Sequence, residues 1–196
     1  MRSLDLTMYE NQIFCLLGHN GAGKTTTLHM LTGLYAPTSG GGHVYGKDIN
    51  TQMKEIRRVI GVCPQHNVLW DDLTVTEHLR IFARLYGVAP ATVERAVAQG
   101  IAAVGLTEKV NVRSKNLSGG MKRKLSLAMS LIGDCKTVFL DEPTSGMDPF
   151  SRRATWNTLK DSRKGRVMVL TTHFMDEARP PRPRHHRVLA LASFRS

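Results

Sequence analysis

The stretch Gln12-Ile-Phe-Cys-Leu-Leu-Gly-His-Asn-Gly-Ala-Gly-Lys-Thr25 decides the fold. Its first six residues, polar only at Gln12, form a short apolar run with no alternation, which predicts a strand buried on both faces, as in a parallel sheet. Gly18-x-x-x-x-Gly23-Lys24-Thr25 is the phosphate-loop pattern. Its glycines let successive backbone N–H groups turn inward around phosphate oxygens, and the positive end of the following helix adds to the attraction. Leu28, Leu31 and Thr32 then fall at helical spacing, and Gly33 sits where a helix would stop. Strand, glycine loop and helix in direct succession are the context that the pattern demands, so a turn that binds nothing is the weaker reading. Lys24 would reach the β- and γ-phosphates of a nucleotide, and the Thr25 hydroxyl would hold Mg²⁺.

The second half of such a site lies at Val138-Phe-Leu-Asp141-Glu142-Pro143. An apolar strand carries Asp141 to its carboxyl end, where a parallel α/β sheet presents ligands. Asp141 can hold Mg²⁺ through water, and Glu142 can polarise a water for attack on the γ-phosphate. Alone, such a pair is usually a solvated strand end; joined to the phosphate loop, it reads as chemistry. Leu117-Ser118-Gly119-Gly120-Met121 supplies a second anion cradle: a serine N-cap, free N–H groups and no side-chain obstruction at a helix start. One ATP does not need two cradles from one chain. The implication is a site shared between two chains, with a merely capped helix as the bland alternative.

Around these motifs the chain reads as strands alternating with helices. Strands are expected at residues 12–17, 59–63, 137–141 and 166–171, and a weakly alternating one at 4–9 that pairs with 12–17 through a turn near Glu10-Asn11. Residues 43–45 suit a short edge strand. Helices are expected at 51–58, 76–87, 91–104, 118–132 and 150–162, with a last short one from His173. A helical insertion covers about residues 71–115, or about 71–135 with the Ser118 helix included. The fold class is therefore α/β: a phosphate-loop NTPase with a mainly parallel sheet, an N-terminal antiparallel β portion and a helical subdomain.

Composition agrees. Of 196 residues, 41% are hydrophobic and 22% charged, which excludes disorder of the whole chain. No run approaches the ~18 apolar residues of a spanning helix, and the start, with Asp5 and Glu10, has no leader-like apolar stretch. Cys15, Cys63 and Cys135 are an odd count at wide spacing, which suits reduced thiols rather than a disulfide framework or a zinc site. Lys plus Arg is 27 and Asp plus Glu is 16, a net charge of +11. Five of those arginines lie in residues 179–196, which hold no acid, so the remainder carries 22 − 16 = +6. There is no basic stripe interleaved with aromatics, and no nucleic-acid partner is expected.

Taken together, the sequence resembles the nucleotide-binding domain of an ABC transporter. The motifs stand in the family order: phosphate loop at 18–25, Q-loop Gln65, signature 117–121, acidic strand 138–142, D-loop Ser145-Gly-Met-Asp148 and switch His173. They span about residues 4–178, and residues 1–178 are expected to be the ATPase domain, followed by an atypical basic Pro/Arg-rich tail at 179–196. The details resemble subfamily A, the lipid exporters, and its first rather than second nucleotide-binding domain: Gly18-His-Asn-Gly-Ala-Gly-Lys-Thr-Thr-Thr27, Gly61-Val-Cys-Pro-Gln-His-Asn67, Leu117-Ser-Gly-Gly-Met-Lys-Arg-Lys124 and Thr171-Thr-His-Phe-Met-Asp-Glu-Ala178.

The resemblance implies ATP and Mg²⁺ as cofactors. Gly18, His19, Asn20, Gly21, Ala22, Gly23, Lys24, Thr25 and Thr26 would hold the nucleotide, and Ser118, Gly119, Gly120 and Asp148 would complete the opposing site in a head-to-tail pair. Thr25, Gln65 and Asp141 would serve the metal. Glu142 would position the attacking water, with Gln65 and with His173, which would bond the γ-phosphate and hold Glu142. The implied partners are a second nucleotide-binding domain and transmembrane domains, at the cytoplasmic face of a membrane. Two departures stand out. Family domains begin upstream with an aromatic that stacks on adenine; Tyr9 lies too near Gly18 for that role. After Ala178, Arg179-Pro-Pro-Arg-Pro-Arg-His-His186 intervenes, and residues 187–193 read either as a displaced strand of the family or as unrelated sequence. A fragment is expected. The competing readings are a truncated product that does not hydrolyse ATP, and a soluble ABC ATPase acting on ribosomes or DNA.

Overall fold

The computed structural model describes residues 5–173 and, for the backbone, 186–190. Five strands form one sheet in the order β4-β5-β6-β1-β7: β1 (Gln12–Leu17), β4 (Ile60–Cys63), β5 (Thr137–Asp141), β6 (Val167–Thr172) and β7 (His186–Ala190). Every pairing in it is parallel. A separate antiparallel pair, β2 (His43–Val44) and β3 (Lys47–Asp48), forms the small β portion.

The apolar runs of β1, β5 and β6 divide by the period of two that a strand imposes. Ile13, Cys15, Val138, Leu140, Met168 and Leu170 face one core, shared with the helices α3 (Val75–Leu85), α4 (Val93–Ala103) and α5 (Gly119–Leu131). Phe14, Leu16, Phe139, Val167 and Val169 face the other, with Leu28 of α1 (Lys24–Leu31) and Ile56 of α2 (Met53–Ile56). Burial on both faces is why these strands read as continuous apolar runs. The helix α6 (Pro149–Ser162) adds Trp156 and Leu159 to the first core. No helix among the described residues is long and apolar enough to cross a membrane.

The expected strand at residues 4–9 does not form: residues 5–9 are irregular. Both edges of β1 are already filled, by β6 and β7. Asn11 turns the chain with a left-handed φ of 64° and is anchored by its N–H to the Arg166 carbonyl at 2.8 Å. Leu6 and Met8 instead pack against the second core. The helix expected at 51–58 shortens to Met53–Ile56. Of the two readings of 187–193, residues 186–190 adopt the strand, parallel to β1. The helix expected from His173 onward lies outside the described residues.

The register matters most for function. Leu17 pairs with Thr172, Asp141 with Thr171 and Cys63 with Leu140. The carboxyl ends of β1, β4, β5 and β6 therefore share one edge, and Gly18, Pro64-Gln65, Glu142 and His173 each follow directly from a strand.

Candidate functional site

The loop after β1 ends in Gly23, whose φ of 86° makes it the left-handed N-cap of α1 with no side-chain cap on that helix. The first N–H groups of α1 are thus left to face the loop. Gly21 also has a positive φ, 81°, and a Cβ there would meet nothing within 4 Å. Lys24 is 6% exposed and its Nζ donates to the carbonyls of Gly18, 2.7 Å, and His19, 3.2 Å. Burial pushes the Lys24 pKa below its ordinary value, while Glu142 and Asp141 pull it back up. His19, Asn20 and Thr26 are exposed, and Ala22 is buried.

Asp141 is 4% exposed at the end of β5. Its Oδ1 accepts from Thr25 Oγ1 at 3.2 Å and from Thr171 Oγ1 at 2.5 Å, and its Oδ2 is buried without a hydrogen-bond partner. A hydroxyl beside a carboxylate with one unsatisfied oxygen is the donor set a hard divalent cation prefers, so these residues fit Mg²⁺.

Glu142 departs from the strand. Its φ of 49° puts a non-glycine residue in the left-handed region and turns its side chain away from Asp141. Its Oε1 lies 2.5 Å from His173 Nε2, and its Oε2 accepts from Gln65 Nε2 at 3.4 Å. Its N–H donates to Thr171 Oγ1 at 2.9 Å. Three strand ends thus converge on one carboxylate.

A phosphate loop under a lysine, a hydroxyl–carboxylate pair and a carboxylate held by a glutamine and a histidine stand along one sheet edge. The family model "ABC transporter" matches residues 1–145. The chain belongs to the ABC transporter family. It is 54% identical over 178 residues to the human "Phospholipid-transporting ATPase ABCA3", covering 91% of this chain and 10% of that protein. To the "ABC transporter A family member 2" of Arabidopsis thaliana it is 50% identical, over 91% of this chain and 18% of that one. The chain therefore spans a small part of the length of these curated relatives. A solved structure, titled "Structure of ATP binding subunit of ABC transporter", superposes with a TM-score of 0.80 at 29% identity, over 88% of this chain and 72% of that chain. The resemblance to subfamily A and the phosphate-loop α/β fold both stand.

Not every candidate of this ABC domain gathers at the edge. Ser118 caps α5, its Oγ accepting from the Met121 N–H at 3.3 Å. Asp148 caps α6, its Oδ1 accepting from the N–H groups of Phe150 and Ser151, both 3.0 Å; the Ser151 side chain first, and then these backbone bonds, hold its carboxyl below the usual range. No hydrogen bond among the described residues joins residues 118–120 or Asp148 to the phosphate loop. A Cβ at Gly119 or Gly120 would meet nothing within 4 Å.

Sequence reasoning missed Thr171 and Arg123, both buried. Thr171 ties Asp141 to the Glu142 backbone. Its only signal was a polar residue at the end of an apolar strand opposite Asp141. Arg123 stands in sequence between Lys122 and Lys124, and nothing in that run of three basic residues signals burial.

Proposed function

We propose that this chain is the ATP-binding and ATP-hydrolysing domain of a subfamily-A transporter and drives transmembrane movement of lipid. It acts by pairing head-to-tail with a second nucleotide-binding domain at the cytoplasmic face of the membrane. The observation that carries this reading is Glu142, held by His173 at 2.5 Å and Gln65 at 3.4 Å beside the Thr25–Asp141 pair.

In this mechanism the N–H groups of the phosphate loop and Lys24 bind the β- and γ-phosphates, with Lys24 leaving the Gly18 and His19 carbonyls to do so. Thr25 and Asp141, with Gln65 nearby, would hold Mg²⁺, which would supply positive charge against the phosphate oxygens. Glu142 accepts a proton from the attacking water as its oxygen bonds to the γ-phosphorus, and the bond to the β–γ bridging oxygen breaks to leave ADP and phosphate. Gln65 and His173 aim the Glu142 carboxylate, which makes orientation rather than an intrinsic property of Glu142 the main contribution. Ser118, Gly119 and Gly120 serve the opposing nucleotide. Support for this last role comes from their open surface: nothing in the chain itself demands glycine at 119 or 120.

The test uses Glu142→Gln, expected to keep MgATP binding and lose turnover by about 10²–10⁴-fold. In that background MgATP is expected to drive association, read by sedimentation. Adding Gly119→Asp places a carboxylate beside the shared phosphate; the expected result is unchanged affinity in the monomer and no association. A Gly119→Asp variant that associates like its parent overturns the shared site.

A further inference from the structure

Arg123 lies on α5, five positions after Ser118, and is 2% exposed. An arginine is buried to this extent only where its charge and its donors are matched. Here Nε donates to the Pro143 carbonyl at 3.2 Å, and Nη1 donates to the carbonyls of Pro64, 2.5 Å, and Gln65, 3.1 Å, and to Asn67 Oδ1 at 3.4 Å. Nη2 donates to the carbonyls of Asp141 and of Glu142, the latter at 3.0 Å. The acceptors are thus five main-chain carbonyls and the Asn67 side-chain oxygen, drawn from two segments, one after β4 and one at the end of β5. These are the segments that carry Gln65 and Glu142.

We propose that Arg123 is a positioning residue for ATP hydrolysis: its planar fork sets the two main chains relative to each other, so that Gln65 and Glu142 meet beside the Thr25–Asp141 pair. The inference rests on the function proposed above. The left-handed turn at Glu142 is held on both sides, its N–H by Thr171 and its carbonyl by Arg123 and by the Ser145 N–H at 3.1 Å. Arg123 touches no phosphate-loop residue and meets Asp141 and Gln65 only at their main-chain carbonyls, so its loss is expected to separate turnover from binding. A lysine would keep the charge, but it presents its donors from one nitrogen and cannot span both segments.

The test is Arg123→Lys in the 196-residue chain, with Arg123→Met beside it. Turnover is expected to fall about 10²-fold in kcat, with KM for ATP within about twofold of the parent. Combined with Glu142→Gln, Arg123→Lys is expected to add nothing, because it acts through Glu142. Hydrogen exchange reads the same geometry without turnover. The amides of Glu142 and Ser145 are expected to exchange about tenfold faster, while that of Thr27, bound to the Gly23 carbonyl, is unchanged. Failure of Arg123→Lys to fold, exchange that rises throughout the chain or nowhere, or a KM that rises in step with lost kcat overturns the proposal and leaves Arg123 a strut. If Glu142→Gln keeps full turnover, the proposed function falls, and the exchange result still decides the role of Arg123 as a clamp.

Discussion

At the scale of single residues, Thr171 does two jobs with one hydroxyl. It donates to Asp141 Oδ1 and accepts the N–H of Glu142, so the carboxylate beside Thr25 and the backbone that turns Glu142 away are built from the same side chain. Thr171 is fully buried, and its replacement by valine, close in shape but with no hydroxyl, leaves a part-buried N–H and a buried carboxylate oxygen each short of a partner. Thr171→Val is expected to lose about 1–3 kcal/mol in urea unfolding, and to slow turnover because Glu142 is no longer held at φ 49°. Thr171→Ser keeps the hydroxyl and is expected to stay within about 1 kcal/mol of the parent.

Among the elements, α3 shows how a helix start was legible and went unread. Thr74-x-x-Glu77 is a capping box: Thr74 Oγ1 accepts the Glu77 N–H at 3.2 Å, and Glu77 Oε2 accepts the Thr74 N–H at 2.7 Å. The helix expected from residue 76 begins at Val75 because the cap sets its first turn. Thr74→Ala is expected to cost about 1 kcal/mol, measured by denaturant unfolding at neutral pH. The pH dependence has a definite sign. The bonds from Thr74, the backbone one first, lower the Glu77 pKa. A carboxyl whose folded pKa is depressed stabilises the fold above its unfolded value of 4.5, and that contribution is lost as pH falls through the lowered value. The acid-side loss of stability is therefore expected to be smaller in Thr74→Ala than in the parent.

Across the whole molecule, α5 is the element that joins the parts. It packs on α3 and α4, lies against β4, and opens at Ser118. It comes close to the sheet at Gly61, where a Cβ would stand 2.0 Å from the Ser130 carbonyl oxygen and 3.4 Å from Cys135 Sγ. A backbone oxygen in the body of a packed chain cannot swing aside as a side-chain tip can, so Gly61→Ala must part the helix from the sheet. The expected cost is about 3 kcal/mol or more in equilibrium unfolding, the upper range for overpacking. Gly119→Ala, where a Cβ meets nothing, is expected to cost less than about 1 kcal/mol. Equal losses at the two glycines would contradict this account of which surfaces are filled by the chain itself.

The local grammar of this protein is written in its residue pattern. Apolar runs marked β1, β5 and β6, spaced apolar positions marked the long helices, and the glycine loop with its lysine, threonine and acidic strand end marked the candidate site. These are legible because periodicity and turn chemistry report burial and backbone conformation within a few residues. Tertiary structure decided what lies next to what. The pairing expected for residues 4–9 failed because β6 and β7 hold both edges of β1, a competition that the two neighbouring segments do not record. The clamp of Arg123 on residues 18–59 positions away, and that of Thr171 on Asp141 and Glu142, arise only once strands distant in sequence end at one edge. A basic residue in a run of three near a helix start looks the same in sequence whether it meets water or five carbonyls; burial by the rest of the fold makes the difference.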